Sequence, residues 1–250
     1  MTAPTGRRTV HVEPCMGTVF SIDVRDPGNW AGAVADVVGW LHRVDRTFST
    51  YRPDSDVSRL HRREIRLGDA DPLVAEVLDR CADLELATGG HFSARPDGRI
   101  DPTGLVKGWA VEAASRRLRA HGSANHAVNG GGDVQLAGGP EPGREWTVGI
   151  ADPHRAGRIL TTVRGRDLAV ATSGTAERGA HVLDPFTGRP IDHLASATVT
   201  GPALSTVDAY ATAAFVLGPA ALPWIDGIPG YAALLVEPDG SRLASAAWPG

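Results

Sequence analysis

Apolar residues recur every three or four positions in three segments of the first half of the chain, a spacing that predicts amphipathic helices. These segments are 30–48, a stretch that begins after Asp71 and ends at Gly89-Gly90, and 105–120. The second begins with a capping aspartate and a proline at its first helical position. A fourth segment, 205–218, is apolar on nearly every side, so we expect a buried helix there.

Alternating apolar and polar residues, or short apolar runs, predict strands elsewhere. The predicted strands are 9–13, 18–25, 126–128, 134–137, 146–150, 159–163, 168–172, 197–200, 231–236 and 241–246. The first two form an expected antiparallel pair, and the last two a closing hairpin. Early helices, late strands and one returning helix favour an α+β class over alternating β-α-β units. We therefore expect antiparallel-rich sheets with flanking helices.

Composition indicates an ordinary globular protein. The 250 residues are 42% hydrophobic, enough for a sizeable core, and no repeat or long linker divides them, so we expect one domain over residues 1–250. The net charge is −4 and no Lys/Arg run occurs, so neither nucleic acid nor an anionic membrane is an expected partner.

The two cysteines and the N-terminal sequence bear on the compartment. Cys15 and Cys81 have no zinc-site spacing and suggest no disulfide framework, so we expect them reduced or buried. No apolar signal-peptide region and no stretch of transmembrane length is visible. The expected location is the cytoplasm.

The buried helix predicted at 205–218 carries candidate metal ligands. Asp208 and Thr212 are four positions apart, so their oxygens emerge from one helix face. A carboxylate and a hydroxyl on one face form half of a Mg²⁺ site, which usually leaves its other positions to water and substrate phosphates. Two alternatives stay open: Ser205 and Asp208 fit a capping box, and Thr212 can bond the carbonyl one turn earlier.

Other candidate residues stand at loops and element ends. Lys107 follows the start of a helix, where a cation opposes the helix dipole and a bound phosphate would remove the conflict. Asn129-Gly130-Gly131-Gly132-Asp133 lets the backbone approach a ligand, although a strand connection explains it equally well. Tyr51 stands just after the first predicted helix, in a loop where an aromatic residue that covers the core is the alternative to a ligand contact. His181 begins a further short predicted strand, which ends at the turn that Asp184 begins; a histidine at a strand end is usually only a satisfied polar residue.

Together these stretches resemble the FAD:protein FMN transferases, the ApbE-like flavin transferase family, over nearly the whole chain. Eight short motifs occur in family order. They are Met16-Gly-Thr, Ser49-Thr-Tyr-Arg-Pro-Asp-Ser, Thr88-Gly-Gly-x-Phe92, Asp101-x-x-Gly-x-x-Lys-Gly, Asn129-Gly-Gly-Gly-Asp, Ala171-Thr-Ser-Gly, His181-x-x-Asp-Pro-x-Thr-Gly and Asp208-x-x-x-Thr212.

The resemblance implies an enzyme that cleaves the FAD diphosphate with Mg²⁺, moves FMN onto a Ser or Thr of an acceptor flavoprotein and releases AMP. It implies His181 as the general base and the Gly104 carbonyl, Asp208 and Thr212 as metal ligands. The implied FAD contacts are Met16, Tyr51, His91, Phe92, Ser93, Asp101, Lys107 and Leu183.

The chain departs from the family pattern at Ser93 and Ala211, where family members often carry acidic residues. The turn that begins at Asp184 resembles the start of a flavin-acceptor motif, but Arg189 breaks it, so self-flavinylation is not expected. Two alternative functions stay open: a Mg²⁺-dependent FAD pyrophosphatase, in which water replaces the acceptor, and a flavin-binding protein without turnover.

Overall fold

The structure is a computed structural model that describes residues 8–95, 100–174 and 182–249. Its helices are α1 (Ala31–Phe48), α2 (Asp56–His61), α3 (Pro72–Ala87), α4 (Thr103–Ala120), α5 (Leu204–Leu217) and α6 (Ala221–Asp226), with 3₁₀ turns at Leu67–Asp69 and Gly218–Ala220. Its strands are β1 (Thr9–Cys15), β2 (Thr18–Val24), β3 (His126–Gly130), β4 (Asp133–Ala137), β5 (Trp146–Ala151), β6 (Ile159–Gly165), β7 (Ala169–Gly174), β8 (Ser196–Gly201), β9 (Ala232–Val236) and β10 (Arg242–Ala244).

Eight strands form one antiparallel sheet in the order β1-β2-β3-β4-β7-β8-β9-β10, and β5 and β6 form a separate hairpin. The α+β class and the two predicted hairpins, β1–β2 and β9–β10, are confirmed. Strand β1 extends past its predicted end at Glu13, because Pro14 pairs with Val19 in an edge strand, where a proline is tolerated.

The strands of this sheet bury different residues on their two faces. Ala169 and Ala171 of β7 join the main core with residues of α4 and α5, whereas Val170 between them packs with Ile150 and Val163 of the β5–β6 hairpin. Successive side chains of a strand point to opposite faces. The helices therefore cover one face of β7 and the β5–β6 hairpin covers the other.

Two expectations near the first helix change. The sequence predicts no helix directly after α1, yet the chain there forms α2, whose first turn is capped by Ser55 Oγ accepting from the amide of Ser58 at 3.1 Å. Tyr51 is 95% exposed, so the alternative in which it covers the core is wrong. Helix α2 was not predicted because a helix of this length has too few periodic residues to be recognised from their spacing.

Cys15 and Cys81 are free and buried, as expected. Burial raises the pKa of Cys15 to about 11 and that of Cys81 to about 12, so both stay thiols near neutral pH. Among the described helices, none has the length and apolar character needed to cross a membrane.

Candidate functional site

Helices α4 and α5 meet at Gly108. A Cβ at this position would lie 2.8 Å from Asp208 Cβ and Oδ2 and 2.9 Å from the carbonyl oxygen of Leu204, so only glycine allows this approach. The amide of Gly108 donates to Asp208 Oδ2 at 3.1 Å. The Asp208 carboxylate, only 7% exposed, is therefore held against α4.

The first backbone amides of α5 donate to residues outside the helix. Its N-cap is Ala203, without a side-chain cap hydrogen bond, so the capping-box alternative for Ser205 and Asp208 is wrong. The amide of Leu204 donates to Gln135 Oε1 and that of Ser205 to Glu112 Oε2, both at 2.9 Å. Because distant residues satisfy these amides, Asp208 is not needed as a cap.

Thr212 lies one turn further along α5 and contacts β7. Its hydroxyl forms a hydrogen bond of 3.1 Å with Ser173 Oγ, and either oxygen can be the donor. Both residues are half-buried. This places the Thr212 oxygen at the α5–β7 junction, on the helix face that also carries Asp208.

Lys107 forms an ion pair with Asp133 at the start of β4. Asp133 is 1% exposed, and its other oxygen accepts from the amide of Thr172 at 3.0 Å. Lys107 is the fifth residue of α4, beyond the first turn where the helix dipole acts most strongly, and it already has a carboxylate partner. The predicted charge conflict is thus resolved within the chain, and it no longer argues for a phosphate.

These contacts connect α4 to β4, β4 to β7, β7 to α5 and α5 back to α4, and we call this closed set of contacts the polar circuit. Its members are Lys107 and Gly108 of α4, Asp133 of β4, Thr172 and Ser173 of β7, and Asp208 and Thr212 of α5. Sequence reasoning missed Asp133 and Ser173 as site residues, although both belong to motifs that it quoted. Only the tertiary contacts distinguish them from their neighbours in those motifs.

The loop after α3 places three predicted flavin contacts. His91 Nδ1 lies 2.9 Å from the carbonyl oxygen of Thr88, and the Phe92 amide donates to Thr88 Oγ1 at 3.1 Å. The Phe92 side chain is 1% exposed and packs in the core, so a ligand could reach little of it. Ser93 Oγ accepts from the amide of Arg95 at 3.0 Å.

A turn at 183–190, which we call the aromatic turn, packs against that loop. Leu183 bridges to Pro190, and Asp184 Oδ1 accepts from the amide of Phe186 at 2.8 Å. The Phe186 ring lies 5.1 Å from the His91 ring, edge to face, and would be 3.1 Å from a Cβ added at Gly90. Leu183 therefore belongs to a turn whose Phe186 ring reaches the His91 loop.

The remaining predicted residues lie at element boundaries. Asp101 Oδ1 accepts from the amide of Thr103 at 3.0 Å at the start of α4, and Gly104 is exposed in the first turn. Met16 has a left-handed backbone (φ 53°) in the β1–β2 turn and is partly buried. His181 lies outside the described residues.

The candidate donors on α4 and α5 are of the chemical type that a hard cation prefers. Among the described residues no group of three His, Cys, Asp or Glu is placed to hold a metal, and Asp208 is the one carboxylate among the candidate ligands. Mg²⁺ is usually held by one or two carboxylates together with water and substrate phosphates. Asp208, the Thr212 hydroxyl and the Gly104 carbonyl are all oxygen donors of that class.

Comparison with known proteins decides the family. The model of the ApbE family matches residues 16–95 and 93–235. The chain belongs to the ApbE family. The resemblance predicted from the sequence motifs is therefore confirmed.

Curated relatives of this chain are named FAD:protein FMN transferase, among them one from Vibrio cholerae and one from Haemophilus influenzae. The chain is 32% identical to the one from Vibrio cholerae over 272 aligned positions, which cover 84% of this chain and 81% of the relative. It is 34% identical to the one from Haemophilus influenzae over 136 positions, covering 50% of this chain and 39% of that relative.

Solved structures agree on the ApbE fold. The Thermotoga maritima ApbE protein superposes with a TM-score of 0.84 at 21% identity, covering 96% of this chain and 97% of that one. The Pseudomonas stutzeri flavinyl transferase ApbE, in its apo form, gives 0.83 at 23% identity, covering 99% and 98%. At such identities the likeness shows the fold.

Proposed function

We propose that this chain, as one domain over residues 1–250, is a Mg²⁺-dependent FAD:protein FMN transferase. It moves FMN from FAD onto a Ser or Thr hydroxyl of an acceptor flavoprotein and releases AMP. The names of the curated relatives support the activity. The cytoplasmic location stays a prediction.

The observation that carries the proposal is the polar circuit. It ties Asp208 of α5 to α4, Thr212 of α5 to β7 and Lys107 of α4 to β4, through contacts between residues far apart in sequence. Phosphoryl transfer depends mainly on positioning and on neutralising charge. Asp208, Thr212 and the Gly104 carbonyl would hold Mg²⁺. When bound there, Mg²⁺ would offset negative charge on the FAD diphosphate.

Lys107 would act on the same diphosphate. Its side chain is 23% exposed, and its ammonium is paired with Asp133, which fixes its direction. The pair is close to neutral as a unit, so Lys107 would contribute mainly through directed hydrogen bonds and local charge. The other proposed FAD contacts are Met16, Tyr51, His91, Phe92, Ser93, Asp101 and Leu183. Of these, Tyr51 offers an almost fully exposed aromatic ring.

His181 is the proposed general base, on the strength of the family motif. It would take the proton of the acceptor hydroxyl while that oxygen bonds to the FMN phosphorus. The bond from that phosphorus to the bridging oxygen then breaks, and the bridging oxygen leaves with AMP. An unperturbed imidazole titrates close to neutral pH, as this role requires.

The test is incubation of the full chain with FAD, Mg²⁺ and candidate acceptor domains, followed by detection of AMP and of protein-bound flavin fluorescence. AMP together with a fluorescent acceptor supports the transferase. AMP and free FMN in equal amounts, with an unlabelled acceptor, would support the pyrophosphatase instead. Tight FAD binding without AMP would leave a flavin-binding protein.

Asp208→Asn sharpens this test, because an asparagine oxygen can still accept from the Gly108 amide while the charge is removed. We expect loss of Mg²⁺-dependent turnover with the fold retained. The matched control is Asp239→Asn in the exposed β9–β10 turn, which should behave as wild type. Normal turnover by Asp208→Asn would contradict the metal assignment.

His181→Ala tests the base separately. It should still bind FAD but transfer FMN about 10²–10⁴-fold more slowly, with part of the rate regained at higher pH. Parallel loss of FAD binding and transfer would make His181 a structural or ligand-contacting residue.

A further inference from the structure

Strand β7 presents a row of small residues to helix α5. Ala169 and Ala171 are almost fully buried in the main core with residues of α5. Ser173, two residues on, lies on the same face and meets Thr212. The row thus changes from apolar to polar at the position where α5 carries a proposed metal ligand.

The direction of the Ser173–Thr212 hydrogen bond matters chemically. Each hydroxyl has one proton and two lone pairs, so geometry alone allows either oxygen to donate. A Thr212 oxygen that binds a cation must turn a lone pair to it and its proton away. Ser173 Oγ, at 3.1 Å, is placed to accept a hydrogen bond from that hydroxyl.

We propose that Ser173 is a positioning residue for the metal site: its oxygen accepts a hydrogen bond from the Thr212 hydroxyl and so holds a Thr212 lone pair toward the cation. This rests on the proposed function, because it requires Thr212 to be a ligand. Partners that orient ligands in this way typically change metal affinity about 10–100-fold when they are removed.

The position of Ser173 is itself well determined. The amide of the preceding residue, Thr172, donates to the buried Asp133 carboxylate at 3.0 Å. Residues 169–174 of β7 also pair in regular antiparallel register with β8, and Ser173 lies opposite the buried Ala197. The strand cannot easily shift to compensate for a lost hydroxyl, so Ser173→Ala should leave Thr212 without its acceptor.

The chain offers a matched control on the other face of the same sheet. Thr172 and Thr198 form a hydroxyl–hydroxyl hydrogen bond of 2.9 Å across β7 and β8. Thr198→Val removes this bond between the same two strands but does not touch Thr212. A purely structural role for Ser173 would make the two variants equivalent in their Mn²⁺ affinity, because each loses one hydroxyl hydrogen bond.

The experiment is Mn²⁺ titration of the full chain followed by EPR, with and without saturating FAD, on wild type, Ser173→Ala, Ser173→Thr and Thr198→Val. We expect Ser173→Ala to weaken Mn²⁺ binding about 10–100-fold. Ser173→Thr, which keeps the hydroxyl, should restore it, and Thr198→Val should match wild type. The KM for FAD at saturating Mg²⁺ should change little in all three variants.

Wild-type Mn²⁺ affinity in Ser173→Ala, or equal weakening in Ser173→Ala and Thr198→Val, would overturn the proposal. Asp208→Asn separates this from failure of the proposed function. If Asp208→Asn loses Mn²⁺ and Ser173→Ala does not, only the role of Ser173 fails. If Asp208→Asn binds Mn²⁺ as wild type does, or if wild type binds none, the metal site itself fails, and the role of Ser173 with it.

Discussion

The polar circuit and the aromatic turn are built in opposite ways. The circuit's contacts join residues 26, 39, 39 and 100 positions apart in the chain. In the aromatic turn, Asp184 alone accepts from the amides of Phe186 and Gly188 and from the Thr187 hydroxyl, all within four residues. The proposed metal face therefore depends on the whole fold, whereas the turn beside the proposed flavin contacts shapes itself locally.

The two regions should therefore respond differently to substitution. A change in the polar circuit alters the packing of several elements at once, because buried polar groups there have partners on other elements. A change in the aromatic turn exposes or removes one side chain at the surface. Substitutions in the circuit should therefore reduce stability more than substitutions in the turn.

Asp133→Ala should be the most damaging single change in the polar circuit. It removes the carboxylate of a nearly buried ion pair and leaves the amide of Thr172 without its acceptor, so we expect a loss of about 3 kcal/mol. Urea unfolding measures it. Asp133→Asn is the control, because it keeps an acceptor for Thr172 and should lose less. Equal stability of wild type and Asp133→Ala would show that the circuit is not held together by this pair.

Gly108→Ala should destabilise the fold by about 1–3 kcal/mol, because the new Cβ would overlap Asp208 and the Leu204 backbone. Gly39→Ala in α1 is the matched control: nothing lies within 4 Å of its added Cβ, so the helix should gain about 0.5–1 kcal/mol. Opposite signs in urea unfolding are the expected result. A neutral Gly108→Ala would mean that the α4–α5 approach is not tight.

His126 of β3, near the C-terminal end of α4, is another buried polar residue that can be compared with the exposed aromatic turn. It is fully buried, with Nε2 2.8 Å from Ser115 Oγ and Nδ1 2.9 Å from Ser123 Oγ. Burial lowers its pKa to about 4 from the ordinary 6.5. Between these values the unfolded chain binds more protons, so stability should fall as pH falls, by about 1.4 kcal/mol per unit.

The measurement is urea unfolding at several pH values between 4 and 6.5, on wild type and His126→Gln. The variant is expected to be less stable overall but to show a shallower slope in this window. An unchanged slope would assign the pH dependence to other groups.

Phe186→Ala in the aromatic turn should have the smallest effect on stability, within about 0.5 kcal/mol, because its side chain is 64% exposed. The same substitution at Phe215 of α5, 1% exposed, should cost about 3–5 kcal/mol. Thermal unfolding of both variants compares them. A large loss in Phe186→Ala would show that its packing on Gly90 and His91 supports the fold, and the contrast between the two regions would fail.

Local patterns were enough to predict most elements. The helices at 72–87 and 103–120 and the two terminal hairpins follow from periodicity, caps and turn residues, which act within a few positions. The short helix α2 was not predicted, because six residues carry too little periodicity. The motifs by themselves also indicated the family, since their order along the chain is a property of sequence alone.

Tertiary structure alone decided which polar residues meet. Ser205 and Asp208 have the spacing of a capping box, yet Gln135 and Glu112 serve the first amides of α5, so Asp208 faces Gly108 instead. Ser173 and Asp133 belong to the site only because the fold packs β7 and β4 beside the helices. The physical reason is that a hydrogen bond across 26 to 100 residues depends on how whole elements pack, which no local spacing encodes.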